Sequence, residues 1–196
     1  MAELTVMLID DEPARAAIVE QALTDNGYQV IRRLENTQGL NQAVTKYQPD
    51  IVIIDIESPD RDTLENMSRL TNDNPRPILM FSEQEDVQHM EAAIRAGVSA
   101  YIVDGLQTHR VKPIVQVAVA RFREFQALRN ELESVKTQLE DRKLIEKAKG
   151  LIMKSQGCDE PAAYQALRKL AMDRSQRMAE VAKNVIAVMD LMGEIK

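Results

Sequence analysis

The stretch "MLIDDEP", residues 7–13, sets three carboxylates side by side directly after an apolar run. Asp10, Asp11 and Glu12 repel one another: at a separation of 4 Å, a like-charged pair costs roughly 4 kcal/mol at an effective dielectric near 20. Such a cluster calls for a positive partner, and its surroundings say what scaffold carries it. The apolar run at residues 4–9 is followed by others at 28–34, 50–55, 77–82 and 99–103. Between them lie segments of helical period at 14–26, 39–47, 60–72 and 85–96, and a further one from 108 onward. "DIVIID" (50–55) and "PILMFS" (77–82) are nearly all apolar before their last residue, the pattern of strands covered on both faces. Five β–α units in series predict an α/β doubly wound, parallel five-stranded sheet. In such a sheet, ligands bind outside the carboxyl ends of the strands.

The strand ends carry the chemistry. The first ends in Asp10 and Asp11, the third in Asp55, the fourth in Ser82, and the fifth runs from Tyr101 to Asp104. A carboxylate pair with a third carboxylate across a crevice is a hard-oxygen site suited to Mg²⁺. Asp55 is then placed as a nucleophile toward a phosphoryl group, with the metal neutralising charge and Ser82 hydrogen-bonding the phosphoryl oxygens. Acids at strand ends can instead merely cap helices, but here three sites converge.

Over residues 4 to about 120, these residues and spacings resemble the receiver domains of two-component response regulators, a flavodoxin-like fold. The resemblance implies that Asp10 and Asp11 are the metal-binding acidic pair and Asp55 the phosphoacceptor. It makes Ser82 the switch hydroxyl and Tyr101 the switch aromatic, with Pro59 four residues after Asp55 as in the family. It also implies that Glu57 lends its backbone carbonyl to the metal, and that a histidine kinase supplies the phosphoryl group. One element departs from the pattern. Three residues after the switch aromatic the family carries a Lys, whereas "AYIVDGL" places Asp104 there. A reversed sign adds repulsion where a cation should meet phosphate. The positive partner of the cluster is therefore expected to be a weakly held Mg²⁺ or another protein. Two readings stay open: phosphoryl signalling through Asp55, or a receiver fold reused as a partner-binding switch.

From Thr108 a helical pattern runs some forty residues without Gly. Pro113 is tolerated because it lies close to the helix start. Phe125, Leu128, Leu132, Val135 and Leu139 step by 3, 4, 3 and 4, the a/d seam of a coiled coil. A lone helix would expose this stripe of large apolar side chains, so a parallel homodimer is expected, with packing onto the chain's own first domain as the alternative. Three helices follow: "DRKLIEKAKGLIMKSQ" continuing the coil, "PAAYQALRKLAM" after an Asp159 cap and Pro161, and "QRMAEVAKNVIAVMDLM". Ile145, Ala148, Ile152, Ala163, Leu167, Leu170, Met178, Val181 and Val185 are expected to form one small core, with Met153, Met172 and Met178 as filler. The expected domains are 1–120, a linker helix at 121–141, and 142–196.

Charge sharpens the division. Residues 1–120 hold 10 Lys and Arg against 19 Asp and Glu, whereas residues 121–196 hold 15 against 12. The overall net charge of −6 therefore leaves room for a polyanionic partner at the C-terminal end. Lys143, Lys147 and Lys154 fall within about 40° of one another at 100° per residue, with Arg142 and Lys149 beside them. Gly150, costly by about 1 kcal/mol inside a helix, points to close approach by another backbone. Tyr164 and Arg168, one turn apart, offer an aromatic ring and a guanidinium on one face. Such a set can stack bases and neutralise phosphates, as recognition of unpaired RNA requires. The charges alone also fit a solvated face, and Tyr164 alone also fits core packing.

"RKLIEKAKGLIM" followed by "AAYQALRKLAMDRSQRMAEVA" resembles the ANTAR domain, an RNA-binding module of transcription antiterminators, over roughly residues 140–192. Together with the receiver-like part and "AYIVDGL", the chain is most similar to nitrate-assimilation antiterminators of the NasT type. The resemblance implies binding to leader mRNA stem-loops through Lys143, Lys147, Lys149, Tyr164, Arg168, Arg174 and Arg177. It further implies a dimer, and a nitrate-sensing protein that holds the regulator inactive. The alternative is a phosphorylation-dependent regulator that reads duplex DNA through Gln176, Arg177 and Glu180 at the start of the third helix. An enzyme built on Asp55 and Glu57 lacks the catalytic Lys and is not expected. No apolar run reaches membrane-spanning length, and Cys158 as sole cysteine excludes an intrachain disulfide. A cytoplasmic protein is expected.

Overall fold

The strands follow from the apolar runs and their period of two. The computed structural model describes residues 4–56, 59–82, 86–103 and 110–193. Its elements are β1 (Leu4–Asp10), α1 (Pro13–Asp25), β2 (Tyr28–Leu34), α2 (Leu40–Tyr47), β3 (Ile51–Asp55), α3 (Arg61–Asp73), β4 (Ile78–Ser82), α4 (Val87–Arg95), β5 (Ala100–Val103), α5 (Val111–Gln156), α6 (Glu160–Asp173) and α7 (Met178–Gly193). All five strands are parallel, in the order β2-β1-β3-β4-β5. This is the expected doubly wound sheet.

Alternate residues of the buried strands feed two separate cores. Val6, Leu8, Ile51, Ile53, Leu79 and Phe81 pack with Ala16, Val19 and Leu23 of α1 and with Val111, Val115 and Ala118 of α5. Met7, Ile9, Val52, Ile54, Ile78 and Met80 face the other way, onto Leu40 and Val44 of α2, Met67 and Leu70 of α3, and Ala93 of α4. Both faces of β3 and β4 are thus covered, which is why these strands are apolar throughout. Asp60 and Asp86 cap α3 and α4 by accepting from the amides of Thr63 and Gln88. Hydrogen bonds to the Thr63 side chain and backbone lower the Asp60 pKa from its ordinary value. Gly97 sits at φ +101°, where a Cβ would fall 2.2 Å from Thr71 Oγ1.

The chain divides into two compact units, Met1–Gln126 and Ala127–Lys196. In the second, each helix contributes a pair of residues one turn apart: Ala148 and Ile152 from α5, Ala163 and Leu167 from α6, Ala182 and Ile186 from α7. Asp159 caps α6 by accepting from the Ala162 amide at 3.0 Å. Ile145, Met153, Met178 and Val185 pack at the edge of this core, and Val181 is fully buried. Met172 departs from expectation: it is 69% exposed, because it follows the buried Ala171 on the outward face of α6.

Candidate functional site

Each unit carries one candidate site. In the first, β1 and β3 pair so that Asp10 lies opposite Asp55. This is the point where the strand order reverses, and so where a crevice opens. Asp10, Asp55 and Ser82 are all buried at these strand ends, while Asp11 and Glu12 are exposed. The Glu12 amide donates to Asp10 Oδ1 at 2.9 Å, which holds that carboxylate in place. Tyr101 lies on β5, packed against the second core. Glu57 and Asp104 lie outside the described residues, so their expected parts as metal ligand and reversed switch charge stand as sequence readings.

The positive partner of the acidic cluster is in the chain itself. Pro13 starts α1 immediately after the cluster, and the third helical residue is Arg15. Its guanidinium donates through one terminal nitrogen to Asp11 Oδ1 at 2.7 Å, to Asp10 Oδ1 at 3.0 Å and to the Asp55 carbonyl at 3.1 Å. Its Nε lies 3.4 Å from Asp10 Oδ2 and 3.5 Å from Asp55 Oδ1. The other terminal nitrogen is 3.7 Å from Glu12 Oε2. Burial disfavours the charge, but the hydrogen bond to Asp10 and the charges of Asp55, Asp10 and Asp11 outweigh it and raise the Arg15 pKa above its ordinary value. The expectation that only a metal or another protein could balance the cluster is therefore corrected. The signal was present: Asp11 and Arg15 stand at i and i+4 across the start of α1.

The arrangement also bears on Mg²⁺. Asp10, Asp11 and Asp55 supply hard oxygen donors, yet a planar guanidinium spans all three. Among the described residues, no group of three or more His, Cys, Asp or Glu is placed to hold a metal ion. As they stand, these side chains do not fit a bound divalent cation.

The second unit carries the exposed basic residues. Lys143 and Lys154 of α5, and Arg168 and Arg174 at α6, are exposed. Among the described residues, no carboxylate pairs with Lys143, Arg168 or Arg174. Tyr164 is 38% exposed, beside the buried Ala163 and one turn from Arg168. Three other expected contacts are engaged within the chain. Lys149 is buried; its ammonium lies 2.6 Å from Glu160 Oε1 and 2.8 Å from Glu146 Oε1. Hydrogen bonds to Glu146 and Glu160 hold its pKa above the ordinary lysine value. Lys147 pairs with Asp190 at 3.3 Å, and Arg177 with Asp141 at 2.5 Å. Gly150 is exposed, and a Cβ placed there would meet nothing within 4 Å. The close neighbour expected at this glycine is not part of this chain's described residues.

Along α5, Phe125, Leu128, Leu132, Val135 and Leu139 are each 53–58% exposed, and every residue from 131 to 140 is exposed.

This combination defines a class. The chain matches the response regulator receiver domain family over residues 6–116 and the ANTAR domain family over residues 133–186. It belongs to the response regulators that join a receiver to an ANTAR domain, a family of RNA-binding antitermination regulators. Among its relatives, transcriptional regulatory protein PdtaR of Mycobacterium tuberculosis is 32% identical over 181 residues, covering 92% of this chain and 88% of that one. The nitrate regulatory protein of Klebsiella oxytoca is 44% identical over 85 residues, which is 43% of this chain and 22% of that protein. A CheY-like receiver from Methanospirillum hungatei superposes with a TM-score of 0.55 at 16% identity, covering 63% of this chain and 98% of that one, and so shows the fold alone. Among the described residues, no helix is long and apolar enough to cross a membrane.

Proposed function

We propose that the protein is a dimeric antiterminator that binds paired stem-loops in leader mRNA and prevents a terminator from forming. The reading rests on one observation above all: Tyr164, Arg168, Lys143 and Arg174 are exposed on an ANTAR three-helix unit, and the three cations have no carboxylate partner among the described residues. An exposed aromatic ring one helical turn from an open guanidinium, with further open cations on the same unit, suits unpaired bases and the phosphates between them. Lys149 serves this face by fastening α5 to α6 through Glu160, in place of the phosphate contact expected from sequence. The coil seam joins two such units, one for each stem-loop.

The receiver acts by partner binding more than by phosphorylation. Arg15 already balances the acid cluster, which leaves Asp55 less dependent on a metal and less available as a phosphoacceptor. The partner is a nitrate-sensing inhibitory protein, and the controlled genes serve nitrate or nitrite assimilation. The likeness to the nitrate regulatory protein supports that specificity. Transcription in vitro through a leader carrying two stem-loops and a terminator tests the function. Added protein should raise read-through, and a gel shift should favour that RNA over duplex DNA of the same sequence. Equal affinity for the duplex would favour the DNA-binding reading, against which the engagement of Arg177 by Asp141 already counts.

A further inference from the structure

We infer that Arg15 is the resident counter-ion of the acidic pocket, a tethered guanidinium in the place of a divalent cation, so that any such cation must displace it. Asp10 and Asp55 are buried and face each other across the β1–β3 crevice, and the guanidinium spans both while also reaching Asp11. Arginine suits this post because it cannot lose its proton and presents its donors as a planar fork. It also makes the pocket a poor metal site. Mg²⁺ demands six oxygens in near-ideal octahedral geometry at about 2.0–2.1 Å, and the oxygens it would need are turned toward the fork.

The post is not sealed. The Arg15 side chain is 24% exposed and Asp11 is 56% exposed, so the guanidinium has a path into solvent. Ion and arginine then compete for the same oxygens, and each weakens the other by the same factor. The tether is short, since Arg15 lies in the first turn of α1. A positive charge there opposes the helix macrodipole, so its position depends on the carboxylates it holds. None of this requires that the protein bind RNA.

The full-length protein, Arg15→Ala and Arg15→Gln separate the possibilities. Mn²⁺ binding is read by electron paramagnetic resonance of the free ion, and Tm is read in EDTA and in Mg²⁺. The wild type should bind Mn²⁺ weakly and melt at the same temperature with or without Mg²⁺. Both variants should bind Mn²⁺ about tenfold more tightly or better, the usual scale of coupling between two linked ligands. Both should also melt lower in EDTA and recover in Mg²⁺. If Arg15→Ala unfolds in EDTA, refolding on addition of Mg²⁺ supports the inference, and failure of Mg²⁺ to rescue either variant overturns it. Wild-type Mn²⁺ affinity equal to that of Arg15→Gln overturns it as well.

Discussion

The two charged regions of this chain are built on opposite plans. At the β1–β3 crevice, one arginine reaches three aspartates and a glutamate of its own chain. On the three-helix unit, Lys143, Arg168 and Arg174 stand open, and Tyr164 is exposed as well. The first region is satisfied from within by a cation of its own chain. The second holds exposed cations with no carboxylate partner among the described residues. Sequence counts hide this difference, because acids outnumber bases around the crevice while the basic region also contains acids. What separates the regions is which side chains the backbone brings within reach.

The largest effect expected concerns the exposed stripe that the second plan leaves on α5. Leu132 and Leu139 are 55% and 53% exposed, so a charge there is harmless to a lone helix but is buried in a dimer seam. Leu132→Lys with Leu139→Lys should convert dimers to monomers in sedimentation, with helicity unchanged. RNA binding should fall with it if both stem-loops are gripped at once. A double variant that stays dimeric would show that the open face does not extend along the coil.

Next in size is Tyr164→Ala. The ring is partly exposed while its neighbours Ala163 and Leu167 carry the core, so folding should survive. Losing one stacked base should cost about 1–3 kcal/mol of RNA binding. The dependence on salt should hardly change, because no phosphate contact is lost. Binding that weakens only in proportion to lost helicity would make Tyr164 part of the scaffold.

Gly150→Ala breaks or sharpens the comparison most cleanly, because its two consequences have opposite signs. Gly150 lies beside the stripe formed by Lys143, Lys147 and Lys154, and among the described residues nothing beyond its own helix backbone and chain neighbours lies within 4 Å of a Cβ placed there. Alanine should therefore stabilise α5 by up to about 1 kcal/mol, raising Tm. If RNA backbone approaches the helix at this point, the same methyl group should weaken binding. A variant both more stable and equally tight on RNA would remove the glycine from the interface.

How far these plans were legible in the sequence differs between them. The sheet was readable because "IVIID" and "ILMFS" are apolar up to their last residue, as strands covered on both faces are. On α5 and α6 the three-helix core was readable from Ala148, Ile152, Ala163 and Leu167, spaced by one turn, whereas on α7 the core pair is Ala182 and Ile186, one residue on from the expected Val181 and Val185, and Leu170 is only half-buried. The pocket was half readable. Its aspartates follow from strand ends, but the pairing of Arg15 depends on α1 starting directly at Pro13, and a search for clustered acids passes over the cation four residues on. The ion pairs of Lys149 were not legible for a related reason. Helical period places it beside a basic stripe, whereas its fate is set by Glu160 on the next helix, eleven residues away. Met172 looked like filler by composition, but its neighbour Ala171 takes the inward position.

The smallest effects come from single cations, and there the comparison can be read within one helix. Lys143 is open, while Lys149 is buried between Glu146 and Glu160. Each phosphate contact on a single strand releases condensed counterions, so losing one should reduce the slope of log K against log salt by about 0.7. Lys143→Ala or Arg168→Ala should show that reduction, with weaker binding at low salt and an unchanged Tm. Lys149→Met should behave differently. It removes the one ion pair of Lys149 that joins α5 to α6 and leaves Glu160 without its partner, so Tm should fall while the salt slope of the folded fraction stays as in the wild type. A salt titration with one stem-loop RNA, run beside a thermal melt of each variant, separates the two. If Lys149→Met lowers the slope as Lys143→Ala does, Lys149 leaves its glutamates to meet phosphate, and the boundary between satisfied and open charge runs elsewhere on this face. If neither Lys143→Ala nor Arg168→Ala changes the slope, these cations are a solvated surface and the RNA lies on another side of the three helices.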